Sequence, residues 1–247
     1  MKKLIVVTNN VEGTGKSACA RGIHHLLQAH DFRTALVESD PDAPRIQDGF
    51  YLDMGDQPEV SEIVDILENV EAVVLDVNSG SFEDFSEFFT RQDVEDVMME
   101  LEVQITFVVP TVEDVKTLES VLQIAETFGE AGEFVTIATP VGYDEYRAWE
   151  GSAAQRAMQH LNATEIAMPE LPEAILEEIE SRGLDFASAL DGRWELPRFL
   201  MNEVQGWMLA FNSELEWATD SLLPDRVAIL KDGEFKSSYG GGVALGA

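Results

Sequence analysis

The chain has 247 residues, 45% of them hydrophobic, enough for one α/β domain with a buried core. Forty-seven acidic residues stand against 16 basic ones, a net charge of -31, and such a surface repels nucleic-acid phosphates. The single cysteine, Cys19, excludes an intramolecular disulfide; no Cys/His metal pattern is visible, and no apolar stretch approaches the ~18 residues of a membrane helix, so a soluble, cytoplasmic protein is expected.

The opening run Leu4–Thr8 is apolar and β-branched and reads as a strand. Asn9-Asn10-Val11-Glu12-Gly13-Thr14-Gly15-Lys16-Ser17 follows, and a helical pattern then spans Lys16–His30. A strand, a glycine loop closing in Lys-Ser and a helix form the context that a phosphate-binding loop requires. Gly13 and Gly15 let the backbone curl around an anion, and the helix start adds partial positive charge. Lys16 can reach β- and γ-phosphates, the Ser17 hydroxyl can bind Mg²⁺, and Gly13 through Ala18, Thr14 included, are the expected nucleotide contacts. Asn10 stands where the usual pattern has its first Gly, and Asn tolerates a left-handed backbone. Cys19, between Ala18 and Ala20, reads as a small buried residue. His24, His25, His30 and His160 form no ligand pattern and read as surface residues.

Further strands are expected at Thr34–Glu38, Ala72–Asp76, Gln104–Val109, Phe134–Thr139 and Glu165–Ala167, with helices at Val60–Glu68, Phe82–Leu101, Val112–Phe128, Gly151–Leu161, Pro172–Arg182 and Leu196–Ser221. This alternation predicts an α/β fold: a P-loop NTPase with a doubly wound, mainly parallel sheet, helices on both faces and a long C-terminal helix. That helix carries Phe199, Val204, Trp207, Met208, Phe211, Leu215 and Trp217 at helical spacing, a packing stripe for the core or for a partner. A single domain over residues 1–230 and a flexible, glycine-rich tail over 231–247 are expected.

Ligands of doubly wound sheets bind beyond the carboxyl ends of the strands, and two carboxylates fall there. Asp76 closes its strand and reads as a Walker-B type magnesium residue; Asp40, after Glu38-Ser39, reads as the group that orients the attacking water or a magnesium-bound water. Each also has a plain structural reading, Asp40 as the starter of an Asp-Pro turn and Asp76 as a cap. Glu38 and Asp42 are secondary candidates. Asn78-Ser79-Gly80 is either a γ-phosphate-sensing loop or a turn before a helix. The acidity reads as a solvated surface, the alternative being a face for a basic partner.

Three blocks, in order, resemble the ParA/MinD family of deviant Walker-A ATPases: Val11 to Ser17, Leu36-Val37-Glu38-Ser39-Asp40-Pro41, and Val73-Val74-Leu75-Asp76. Glu38 and Asp40 occupy the two acidic positions of the family's Asp-x-Asp-Pro block. The stretch Ala72 to Phe82 and the segment Pro169 to Leu190 are similar to conjugal-transfer and mobilisation proteins of the TraL/MobD kind. The resemblance implies ATP and Mg²⁺ as cofactors, slow hydrolysis with Lys16 and Asp40 as catalytic residues and Ser17, Asp40 and Asp76 around the metal, and a nucleotide-dependent homodimer. It further implies an accessory role in plasmid mobilisation, conjugation or partition, with a protein partner in that machinery. Family members carry a signature lysine where Val11 stands, and the glycine after it is Glu12 here. A cation that neutralises developing charge is worth orders of magnitude in rate. Its absence leaves open a nucleotide-binding scaffold with little turnover. Nonspecific DNA binding is not expected, because Arg193 and Arg198 near Trp194 make the best basic patch and cannot offset the surrounding acidity.

Overall fold

Strand β1 (Lys2–Val7) buries its last five residues in succession, since both faces of a central parallel strand are covered. A computed structural model describes residues 1–40, 49–139, 148–184, 186–190 and 196–225. The strands that follow are β2 (Thr34–Glu38), β3 (Phe50–Tyr51), β4 (Ala72–Asp76), β5 (Val103–Thr111), β6 (Glu133–Ala138) and β7 (Thr164–Ala167). Among the described residues all pairings are parallel, in the order β3-β2-β4-β1-β5-β6-β7. The helices are α1 (Lys16–Ala29), α2 (Val60–Asn69), α3 (Phe82–Arg91), α4 (Val94–Glu100), α5 (Val115–Phe128), α6 (Ala153–His160), α7 (Glu173–Ser181), α8 (Phe186–Leu190), α9 (Arg198–Leu215) and α10 (Thr219–Leu222).

Side-chain alternation along β1 divides the core. Ile5 and Val7 face a layer built from α1 and α7–α10, whereas Leu4 and Val6 face one built from α2–α6. In the second layer Phe107 of β5 stacks on Phe128 of α5, ring centroids 4.8 Å apart, and Phe85 and Phe89 of α3 close around that pair. In the first, α1 and α9 cross so closely that Gly22 lies beneath Phe211; a Cβ there would stand 2.6 Å from the ring. At the amino-terminal edge of the sheet the buried Lys3 ammonium donates to Gln104 Oε1 (2.6 Å), to Glu133 Oε2 (3.4 Å) and to the Asp220 carbonyl (3.3 Å), tying α10 to β1, β5 and β6. No helix among the described residues is long and apolar enough to cross a membrane.

Several expectations are corrected. The segment expected as one helix from Phe82 to Leu101 is two helices broken at Asp93, whose φ is +47°. A straight helix would turn Gln92 and Asp96 toward the sheet; the break brings Val94 and Met98 there instead, and both are buried. α5 begins three residues late because β5 continues to Thr111. Pro110 is tolerated there because the β1 pairing has already ended at Val108. Strand β3 was not expected; it is two residues at the sheet edge and carries no apolar run. The last helix ends at Leu215 and resumes as α10 after a 3₁₀ turn. Of its stripe, Val204, Trp207, Met208, Phe211 and Leu215 are buried, whereas Phe199 and Trp217 are 66% and 79% exposed. His24 is buried rather than on the surface, since α1 is covered by both the sheet and α9. The glycine-rich segment 231–247, Asp42, Arg193 and Trp194 lie outside the described residues.

Candidate functional site

The chain leaves β1 into a loop that is fastened at several points. Asn9 is fully buried; its amide donates to the Pro110 carbonyl (2.9 Å) and its side-chain oxygen accepts from the Val11 N–H (2.9 Å). The Asn10 N–H donates to Ser120 Oγ of α5 (2.9 Å), and Thr139 Oγ1, beyond β6, donates to the Thr14 carbonyl (3.0 Å). Gly13 and Gly15 take positive φ, +73° and +82°, as the loop reading requires; Asn10 does not, so the left-handed role considered for it is not used. A Cβ on Gly15 would meet Met168 Cε at 2.7 Å and Thr139 Cγ2 at 3.2 Å, whereas one on Gly13 would meet nothing within 4 Å.

Over this loop, at the carboxyl ends of β2 and β4, opens a cleft of about 360 Å³. Gly13, Gly15, Lys16, Ser17, Ala18, Asp40 and Asp76 line it, together with Glu12, Arg21, Glu38, Asn78, Ser79 and Leu176. Thr14 is buried beneath it, its hydroxyl donating to the Val11 carbonyl (3.3 Å). Lys16 is 8% exposed and its ammonium donates to the Val11 carbonyl (2.9 Å), closing the loop on itself. Burial pulls the Lys16 pKa below the ordinary lysine value, and the charges of Asp76 and Glu12 pull it back. Cys19, one turn along α1 from Gly15, is fully buried, and desolvation pushes its thiol far above the ordinary range.

The two carboxylate-bearing strand ends are joined to each other. Glu38 and Asp76 are register neighbours, the Ser39 N–H donates to the Asp76 carbonyl (3.1 Å), and the Asn78 N–H donates to Ser39 Oγ (2.8 Å). Arg21 lies one turn beyond Ser17 on the same face of α1 and pairs with Glu38, Nη2 to Oε1 at 3.3 Å. Sequence reasoning missed Arg21, although its i+4 spacing from Ser17 carried the signal. It also missed Asn9, Ser120, Thr139 and Leu176; the last three come from distant segments and no local pattern marks them.

Four carboxylates (Glu12, Glu38, Asp40, Asp76) and two cations (Lys16, Arg21) line the cleft, an imbalance that suits phosphates arriving with a divalent cation. No group of three or more His, Cys, Asp or Glu among the described residues could hold a metal alone. A magnesium ion would therefore complete its shell with phosphate oxygens and water, as is usual for that ion. A second hollow, about 590 Å³, lies among α3, α4, α5 and α6; its charged lining is Asp93, Glu95, Asp96, Glu126 and Glu130 with His160, and it offers no phosphate loop.

No protein-family model matches the chain, and no curated protein matches it in sequence. Solved structures are similar in fold. The septum site-determining protein MinD from Pyrococcus horikoshii OT3, complexed with Mg-ADP, matches with a TM-score of 0.54 at 14% identity, over 87% of this chain and 96% of that one. The MinD cell division protein of Aquifex aeolicus matches with a TM-score of 0.47 at 14% identity, over 83% of this chain and 97% of that one. The architecture is thus an α/β fold with an all-parallel sheet, shared with a nucleotide-bound protein.

Proposed function

We propose that the chain is a Mg-ATP-binding ATPase of the ParA/MinD kind, working as a slow, nucleotide-dependent switch. One observation carries this reading: a single cleft gathers Lys16 and Ser17 at the end of a left-handed glycine loop with Asp40 and Asp76 from two neighbouring strand ends. The Mg-ADP complex of the similar fold from Pyrococcus horikoshii supports it. Lys16 would leave the Val11 carbonyl to hold phosphate oxygens; Gly13 to Ala18 would wrap them; Ser17 and Asp76 would hold the metal. Asp40, beside them, would orient the attacking water or a metal-bound water and share in holding the metal. Bound magnesium would supply charge neutralisation on the phosphates. Adenine, a nucleotide-dependent homodimer, a protein partner and an accessory role in plasmid mobilisation, conjugation or partition rest on the sequence blocks. Titration with Mg-ATP tests the core of the reading: Lys16→Ala should lose binding, and a Lys16→Ala variant with wild-type affinity overturns it. Solution mass by light scattering, without nucleotide, with Mg-ADP and with a non-hydrolysable ATP analogue, tests the switch, which predicts a dimer with the analogue alone.

Glu12 favours a second reading, a nucleotide-binding scaffold with little turnover. It lines the cleft and sets a carboxylate beside the phosphate position, where the loop has Val11 and no cation. Steady-state turnover well above background, abolished in Asp40→Ala, would rule the scaffold out.

A further inference from the structure

The cleft contains an ion pair that none of the assigned roles uses. Arg21 is 3% exposed and Glu38 is 7% exposed, yet both line the cavity, one from α1 and one from the end of β2. Removing two charges from water is costly, and apolar residues of the same volume usually pack as well or better. A pair kept at such a place calls for a role besides adhesion. Its location supplies one. Arg21 follows Ser17 by one helical turn, so it belongs to the same rigid element as the phosphate loop. Glu38 is the last residue of β2, beside Asp76, and Asp40 lies two residues further on. The stitches from Ser39 to Asp76 and from Asn78 to Ser39 fix β2 to β4. The pair of Arg21 with Glu38 ties those strand ends to α1.

We infer that Arg21 is a positioning residue of the nucleotide site. Its planar guanidinium holds Glu38, and through it the turn into Asp40, at a fixed distance from Lys16 and Ser17. It also neutralises Glu38, so that this carboxylate does not draw a divalent cation away from Asp40 and Asp76. A guanidinium suits the task because it stays charged when buried and its fork fixes direction, which an ammonium does not. The inference rests on the Mg-ATP reading for its consequence but not for its geometry, and the experiment separates the two.

The readout is the ¹³C carboxyl resonance of Asp40 at one fixed pH near neutrality, assigned by its loss in Asp40→Asn and recorded without nucleotide. Arg21→Met takes the guanidinium away from the buried Glu38 carboxylate and risks unfolding. The double variant Arg21→Met/Glu38→Gln removes both charges together, leaves the net charge unchanged, and is the decisive one. In a double variant shown to be folded by its thermal melt, the Asp40 resonance should move. Arg21→Lys, which keeps a cation opposite Glu38, should lie between the two. Turnover at saturating Mg-ATP should fall about tenfold to a hundredfold, the scale of an ångström of misplacement, while KM changes less than about threefold. An Asp40 resonance unchanged in the folded double variant overturns the inference. If the wild-type protein binds no Mg-ATP, the nucleotide reading falls, and the Asp40 resonance still decides whether Arg21 positions it.

Discussion

Gly13 and Gly15 occupy the same backbone region with very different surroundings, so Gly13→Ala and Gly15→Ala together separate two energies. Both place an L side chain at positive φ, +73° and +82°, which costs about 1–2 kcal/mol. Both also gain about 0.4–1 kcal/mol because alanine restricts the unfolded chain. Only Gly15→Ala adds a collision, with Met168 Cε at 2.7 Å and Thr139 Cγ2 at 3.2 Å. The methionine end can swing aside, but Thr139 is held by its hydrogen bond to the Thr14 carbonyl, so the overpacking cost of about 1–3 kcal/mol is not fully relieved. Gly13→Ala should therefore lose about 0–1.6 kcal/mol, and Gly15→Ala about 1–3 kcal/mol more than that. Urea unfolding followed by circular dichroism, without nucleotide, gives both values, and an equal m-value for the two variants shows that the difference between them does not come from a change in the surface exposed on unfolding. Equal losses, within about 0.5 kcal/mol, would refute the account of the loop as packed on Met168 and Thr139.

Gly22→Ala should be destabilising by about 0–2 kcal/mol, the overpacking against Phe211 being partly offset by about 1 kcal/mol of helix propensity; adding Phe211→Leu should recover part of the loss in a thermal-melt double-mutant cycle. The Cys19 thiol should resist a disulfide reagent at pH 8 in the folded protein, because burial both blocks it and keeps it protonated, and should react once urea unfolds the chain; fast reaction in buffer would contradict the burial. Desolvation holds the Lys3 pKa below 10.5 in the folded state, with Glu133 opposing. The unfolded chain thus binds that proton more tightly, so the Lys3 contribution to stability should rise as pH climbs toward 10.5 and fall as pH drops through the depressed folded value. Urea melts of wild type and Lys3→Met at pH 8 and pH 10 check the sign: the difference between them should move in favour of wild type at the higher pH.

What could be read from sequence was what consecutive residues carry. The strand, glycine loop and helix at the start of the chain are one uninterrupted signal; Asp76 stands directly after an apolar run and Asp40 three residues after one, and the strand character of both runs is local. The parallel sheet followed from runs apolar on both faces, such as Ala72–Asp76. Contacts between distant segments were not legible. Ser120 and Thr139 hold the loop from positions more than a hundred residues away, and a lone Ser or Thr gives no pattern. The break at Asp93 was missed although the apolar stripe changes phase there, from Phe85 and Phe89 to Val94 and Met98, with Gln92 and Asp96 where an unbroken helix would need apolar residues. Trp217 was misplaced because helical spacing assigns a face but does not say where the helix ends, and α9 ends two residues before it.

The central strand of the sheet, β1, is made before all its neighbours. β1 pairs with β4 and β5, and the register partner of Lys3 on β4 is Ala72, 69 positions later (72 minus 3). At about 5–20 residues per second, a ribosome needs roughly 3–14 seconds to deliver that partner, and longer for β5. Throughout, five consecutive residues destined for burial have neither edge of their strand satisfied, while the glycine loop behind them lacks Pro110, Ser120 and Thr139, its fastenings. A nascent chain stalled before β4 is thus an unpaired apolar strand on a long tether, a substrate for chaperones or a seed for aggregation. The order of synthesis thus makes the glycine loop between Asn9 and Ser17 wait for Thr139, more than a hundred residues later, before it is fastened.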